Sequence, residues 1–252
     1  MNLTCLTYEK ENSYAIITLN RPEVLNAMNA QMWHELRDVL QQAKEEEDNK
    51  TIIFTGAGRA FSSGADLTES QYRSKEEYRD YLEELQKISK EIIFYPNPTI
   101  AAINGYALGS GLELALACDI RLASQQAKMG FPEAKIASSI TGGTFLLLKE
   151  IIGLGKAKEL LFTSRFITAE EAKKIGMINQ VVTMEDLLQK AKELAKEISK
   201  NSLLSIRVMK EGLRLSQDKT LDEIMEYEVG SCLKTVTTEE RKEKLKEFHK
   251  KK

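Results

Sequence analysis

Residues 99–124 read TIAAINGYALGSGLELALACDIRLAS. "TIAAING" has the length and composition of a buried strand, bounded by a Gly-containing turn. "LELALA" then follows a run of small residues with no polar side beyond one acid, and a helix that is apolar all round is a buried helix. "DIRLAS" returns as a second strand. Strand, buried helix and strand in so short a space argue for an α/β core. Glu113 is the one acidic side chain between Gly105 and Cys118, and a carboxylate is almost never fully buried without a partner. Two readings of it stand side by side. Ser110-Gly111-Leu112-Glu113 fits the capping box S-x-x-E, in which the acid reaches back to the N-cap amide. Alternatively, burial raises the carboxyl pKa by desolvation, which suits a general acid or base near neutral pH. The first N–H groups of the helix are then free to hold an anion.

Outward from this stretch the alternation continues. "LTCLTYEK" and "SYAIITLN" read as strands, and residues 30–48 as an amphipathic helix with Met32, Leu36, Val39, Leu40 and Ala43 on one face. "TIIFTG" is a short buried strand, followed by "GAGRAFSSGADL" as a Gly/Ser-rich loop. Residues 74–94 form a long charged helix, ended by the breaker "YPNP" at 95–98. "INQVV" reads as a strand. From Glu185 onward only helices are predicted, at 185–200, 202–216, 220–235 and 238–250. The expected division is a mixed core over 1–196 and a helical region over 197–252.

Composition narrows the function classes. The 252 residues are long enough for a sizeable core, and 42% hydrophobic with 29% charged residues is ordinary for a globular protein. A formal charge of -2, with both signs mixed along the chain, gives no nucleic-acid footprint. No apolar run approaches the roughly 20 residues of a membrane span, and the N-terminus lacks the pattern of a signal peptide. Cys5, Cys118 and Cys232 are odd in number and far apart, which reads as reduced thiols of a cytoplasmic protein. With two histidines in the chain, neither a histidine triad nor a His-rich metal site is expected.

Two further stretches carry candidate chemistry. In "RAFSSGADL" (59–67) small residues let a backbone turn approach a ligand closely; the plainer reading is a loop capped by Asp66. In "FPEAKIASSITGG" (131–143) Glu133 is either a first-turn acid complementing a helix dipole or a second carboxylate of a site. Gly109-Ser110-Gly111 is not a dinucleotide fingerprint. Position 114 is Leu, where that motif needs a third glycine for close helix–strand packing.

Taken together these stretches resemble the enoyl-CoA hydratase/isomerase, or crotonase, superfamily. The likeness runs through "LNRPEVLNAMN" (19–29), "FTGAGRAFSSGADL" (54–67), "PTIAAINGYALGSGLELALACDIRLAS" (98–124), "FPEAKI" (131–136) and "GLGKAKELLFTSRFITAEEAKKIGMINQVV" (153–182). A degraded form of the family's C-terminal ending follows at 241–248. The resemblance implies an α/β fold: a spiral of ββα units followed by a C-terminal helical trimerisation region. It implies an acyl-CoA thioester substrate, whose oxygen is held by the backbone N–H groups of Ala65 and Ser110. Glu113 and Glu133 become the two catalytic carboxylates, Ala65, Asp66, Leu67 and Thr68 the CoA-facing loop, and Gly109 part of the substrate site. The implied reaction is reversible syn hydration of a 2-trans-enoyl-CoA. Isomerase, decarboxylase and hydrolase chemistry on the same scaffold, or a degenerate acyl-CoA binder, are the alternatives. No cofactor is implied beyond the CoA of the substrate, no metal, and self-association as a trimer or dimer of trimers. Two departures from the family pattern stand out: Ser110 where Gly is usual, and "SSITGGT", with Thr141 in place of a Pro-Gly element and one residue fewer.

Overall fold

The computed structural model describes residues 2–250. The chain opens with β1 (Leu6–Glu11), β2 (Tyr14–Leu19), α1 (Ala30–Glu45), β3 (Ile52–Gly56) and β4 (Ala60–Ser62). Next come α2 (Leu67–Ser70), α3 (Lys75–Ile93), β5 (Thr99–Ile103), β6 (Tyr106–Leu108), α4 (Ser110–Ala117), β7 (Ile120–Ser124) and β8 (Lys128–Gly130). The remainder is α5 (Thr144–Thr163), β9 (Ile167–Thr168), α6 (Ala169–Lys174), β10 (Gln180–Val182) and the helices α7 (Met184–Ser199), α8 (Leu203–Leu215), α9 (Leu221–Val236) and α10 (Glu239–Lys250).

Two sheets share the strands. The larger has the order β1-β2-β3-β5-β7-β10, the smaller β4-β6-β8-β9. The hairpin β1–β2 and the pair β8–β9 are antiparallel, and every other pairing is parallel. The pairs β3–β4, β5–β6 and β7–β8 each give their first strand to the large sheet and their second to the small one, and helix follows before the next pair. This is the repeated ββα turn of a crotonase-like spiral.

Parallel strands are covered on both faces and read as continuous apolar runs; β5, "TIAAI", is buried at all five positions. On one face Ile16, Ile53, Ile100 and Leu122 pack against Leu187, Ala191 and Ala195 of α7. On the other, Ile17, Phe54, Ala101 and Ile103 join α1, α3, α4 and the small sheet in the main core. The first strand begins at Leu6, later than "LTCLTYEK" suggests. The amides of Thr4, Cys5 and Leu6 are taken by the buried Glu35 carboxylate of α1 at 2.9, 2.9 and 3.0 Å.

The long charged helix is α3, opened by a capping box between Ser74 and Glu77. The four C-terminal helices lie within two residues of their predicted bounds. Among the described residues α8, α9 and α10 bury no side chain fully. Arg207 and Lys210 of α8 tie it to Asn97 and Asp119. Between α8 and the C-terminal end of α4 lies an apolar cavity of about 530 Å³, lined by Leu116, Cys118, Leu147, Ile151, Met209 and Leu213 among others.

Candidate active site

The stretch predicted as a Gly/Ser-rich loop holds β4, and polar side chains clamp it. Asn26, fully buried, donates from Nδ2 to the carbonyls of Ala57 and Ala60 at 2.9 and 2.8 Å. Asn104 donates to Gly58 and Ala60 from the other side. Ser62 Oγ donates to the Asn26 carbonyl and accepts from the Gly64 amide. These bonds satisfy backbone groups that a loop would otherwise leave unpaired in the interior. They fix the turn that follows, Gly64–Asp66.

In that turn Met28 donates to the Gly64 carbonyl and Asp66 donates to the Met28 carbonyl. The Gly64 amide is used by Ser62 Oγ and the Asp66 amide by Met28, whereas the Ala65 N–H has no acceptor among the described residues. Asp66 caps α2, accepting from the Thr68 amide, and forms an ion pair with Arg21 at 2.9 Å. Burial opposes this ionisation, but the hydrogen bonds from Thr68 and Arg21 outweigh it and hold the Asp66 carboxyl below its usual value. Leu67 and Thr68 lie on the exposed rim.

Gly64 is where this turn meets α4: a methyl group there would stand 2.8 Å from the Leu108 carbonyl and 3.4 Å from the Ser110 amide nitrogen. Small size at 64 thus brings the two turns together. Gly109 precedes α4 with φ 49° and ψ -126°, a conformation in which a Cβ is strained. The Ser110 N–H, first of the helix, has no acceptor among the described residues.

All eight residues of α4 are buried, and Glu113 is 2% exposed. The capping-box reading of Ser110 and Glu113 does not hold. Gly109 is the N-cap, with no side-chain cap bond, which sets Glu113 one residue too far along to reach back. Its carboxylate instead accepts from the Thr141 amide, 2.7 Å from Oε1. Burial is the main cause pushing the Glu113 carboxyl up to about 7; the Thr141 N–H and the Ser110 hydroxyl oppose it and the Glu133 charge adds to it.

Glu133 opens a single 3-10 turn, Glu133–Ile136, too short for a helix dipole to be its purpose. Its side chain lies against Gly109: a Cβ at 109 would come 2.5 Å from Glu133 Oε1. Burial raises its pKa as well. Oε2 of Glu113 and Oε2 of Glu133 are both buried with no hydrogen-bond partner among the described residues. Groups placed this way are expected to meet a bound molecule. The fold thus brings Ala65, Gly109, Ser110, Glu113 and Glu133 around the first turn of α4, with Asp66, Leu67 and Thr68 beside them. Among the described residues no group of three or more His, Cys, Asp and Glu side chains could hold a metal ion, and no helix is long and apolar enough to cross a membrane.

A ββα spiral with two carboxylates of raised pKa at a buried helix N-terminus defines a crotonase-fold enzyme. The comparisons make this particular: residues 9–252 match the family model described as enoyl-CoA hydratase/isomerase. The short-chain-enoyl-CoA hydratase of Clostridium acetobutylicum is 33% identical over 249 residues, covering 98% of this chain and 95% of that protein. The crotonyl-CoA hydratase of Syntrophomonas wolfei is 34% identical over 241 residues, covering 95% and 93%. The crystal structure of an enoyl-CoA hydratase from Bacillus anthracis superposes with a TM-score of 0.96 at 34% identity, covering 99% of this chain and 97% of that one. The chain belongs to the enoyl-CoA hydratase/isomerase family and is an enzyme of the hydratase or isomerase type.

Proposed function

We propose that the protein is an enoyl-CoA hydratase, adding water reversibly and syn across the double bond of a 2-trans-enoyl-CoA. The observation that carries this reading is the carboxylate pair. Glu113 and Glu133 both have raised pKa values, and each keeps one buried oxygen free of any protein partner among the described residues. Burial thus favours the neutral form of both, and hydration needs one of them ionised and the other protonated. Ionised Glu113 takes a proton from the water whose oxygen bonds to C3, and protonated Glu133 gives its proton to C2. The charge that develops on the thioester oxygen meets the N–H groups of Ala65 and Ser110, and losing one such donor typically costs about 3–4 kcal/mol of barrier. The loop of Ala65 to Thr68 faces the CoA. The reading calls for no cofactor beyond that CoA; reversible loss of activity with EDTA would count against it.

Self-association as a trimer or dimer of trimers is part of the proposal, since closed symmetry is usual for homo-oligomers. It is supported by the apolar side chains that α8 and α9 leave exposed, Met209, Leu213, Leu221, Met225, Val229 and Leu233. The absence of a membrane-spanning helix among the described residues fits a cytoplasmic enzyme.

The test follows loss of enoyl-thioester absorbance across short, medium and branched enoyl-CoAs, with Glu113→Gln and Glu133→Gln in parallel. Each variant is expected to lose on the order of 10²–10⁴-fold, the usual contribution of a positioned acid or base. Near-normal turnover by Glu113→Gln beside a dead Glu133→Gln would replace the hydratase reading with an isomerase, which needs one base.

A further inference from the structure

Hydration requires a water held at one angle, and two carboxylate oxygens accept from its two hydrogens without fixing its oxygen along the attack direction. The segment "SSITGGT" supplies a third group. The Thr141 amide is anchored to Glu113 Oε1 at 2.7 Å, and covalent geometry keeps a threonine hydroxyl within about 4 Å of its own nitrogen. Thr141 Oγ1 therefore lies within about 7 Å of Glu113 Oε1, a span that one water bridges. It is buried and has no hydrogen-bond partner among the described residues, as are Glu113 Oε2 and Glu133 Oε2. Buried hydroxyls in folded proteins are nearly always satisfied, and a buried water makes about three hydrogen bonds. Two acceptors and one hydroxyl match that valence.

We propose that the Thr141 hydroxyl is a positioning residue for hydration, donating to the oxygen of the attacking water while the two glutamates accept its hydrogens. The inference rests on the hydratase reading. One lone pair of the water is occupied by Thr141 and the other is left to form the bond to C3. Glu113 takes the proton that the water loses, so Thr141 gains and loses none. Thr144 Oγ1 is also buried without a partner among the described residues, and serves as the control because Thr144 opens α5 and its amide bonds the Thr141 carbonyl, not Glu113.

The experiment compares wild type, Thr141→Val, Thr141→Ser and Thr144→Val on crotonyl-CoA. A second readout is exchange of the C2 hydrogens of butyryl-CoA in heavy water, which uses Glu133 and the thioester-holding N–H groups but no attacking water. Thr141→Val is expected to lose roughly 10- to 100-fold in hydration kcat, the range of one hydrogen bond to a reacting group. KM and C2 exchange should stay within about threefold of wild type, and Thr141→Ser should restore most of the rate. Undiminished hydration by Thr141→Val overturns the assignment, as does a parallel fall in C2 exchange or a loss carried by Thr144→Val instead. Wild type that exchanges C2 but never hydrates removes the hydratase reading, and this assignment with it.

Discussion

Gly109 and Glu133 occupy one small volume: a Cβ on the glycine would stand 2.5 Å from the glutamate Oε1. The two residues come from different turns of the spiral, and the absent side chain of one makes the place for the other. Gly109→Ala should therefore act on Glu133 and on its own backbone, where φ is 49°. We expect a loss of about 1–3 kcal/mol in stability from the backbone. Misplacing a reacting group by about 1 Å costs on the order of 100-fold, so activity should fall by at least about that much. Thermal melts and turnover on crotonyl-CoA, measured on the same sample, check both parts.

The Glu113 carboxyl sits at about 7, chiefly through burial, and the proposed base is its ionised form. The fraction of competent enzyme thus rises with pH, and kcat/KM should climb through an acid limb near pH 7. A profile flat from pH 5 to 9 would remove the base role of Glu113. Glu133 is raised by burial as well, and in the proposed role it acts protonated, so ionising it too should lower the rate.

Stability should run the other way. Folded Glu113 binds its proton up to about pH 7, against 4.5 when unfolded, so between those values the native state holds the extra proton. Stability then falls as pH rises through that window. Glu113→Gln cannot ionise, so it should match wild type near pH 4 and exceed it by up to ~3 kcal/mol at pH 8. Denaturant titrations at the two pH values give the comparison; a variant less stable than wild type at pH 8 contradicts the burial account.

Glu35 is a buried carboxylate of the opposite kind, fully used by the N-terminal segment. It accepts from the Thr4, Cys5 and Leu6 amides, the Thr4 hydroxyl and Gln31. Glu35→Ala leaves those donors without their acceptor, and we expect a loss of about 2–5 kcal/mol. Turnover per folded molecule should be unchanged at temperatures below the melt. Equal loss of activity and stability would show that the segment reaches the site.

On α9, Leu221, Met225, Val229 and Leu233 recur every four residues, and all are more than half exposed. Such a stripe marks one face of the helix. Placing Asp at Met225 and Val229 together should shift sedimentation from the trimer or hexamer toward the monomer. Wild type running as a compact monomer at micromolar concentration would overturn the oligomer proposal.

The large sheet and α4 were legible because their signals are local. "TIIFTG", "TIAAING" and "DIRLAS" are apolar runs of strand length, and "LELALA" has no solvent face. The long charged run at 74–94, closed by "YPNP", marked α3 in the same way. The small sheet was not legible. Its strands β4, β6 and β8 are three residues each, too short to show a period of two, and they exist through pairing with one another. The clamps Arg21, Asn26 and Asn104 were also missed, since an asparagine bonded to distant carbonyls looks like any loop asparagine; for Arg21 and Asn26 the family-like stretch "LNRPEVLNAMN" was the available hint. The site shows both sides. Glu113 stood out as an acid in an apolar helix, but its partner is a main-chain N–H 28 residues downstream, and no side chain encodes that.

The two turns at Gly64 and Gly109 place main-chain amides, while the acids beside them are side chains, and these two kinds of part respond differently to mutation. No single substitution other than proline removes an N–H at position 65 or 110. One codon change at 113 or 133 alters the proposed proton chemistry, and one at 141 the placing of the water. On the proposed roles, random drift in this chain would tend to change what happens to a bound thioester before it abolished the holding of one. A library confined to those three codons explores new reactions from an intact starting grip.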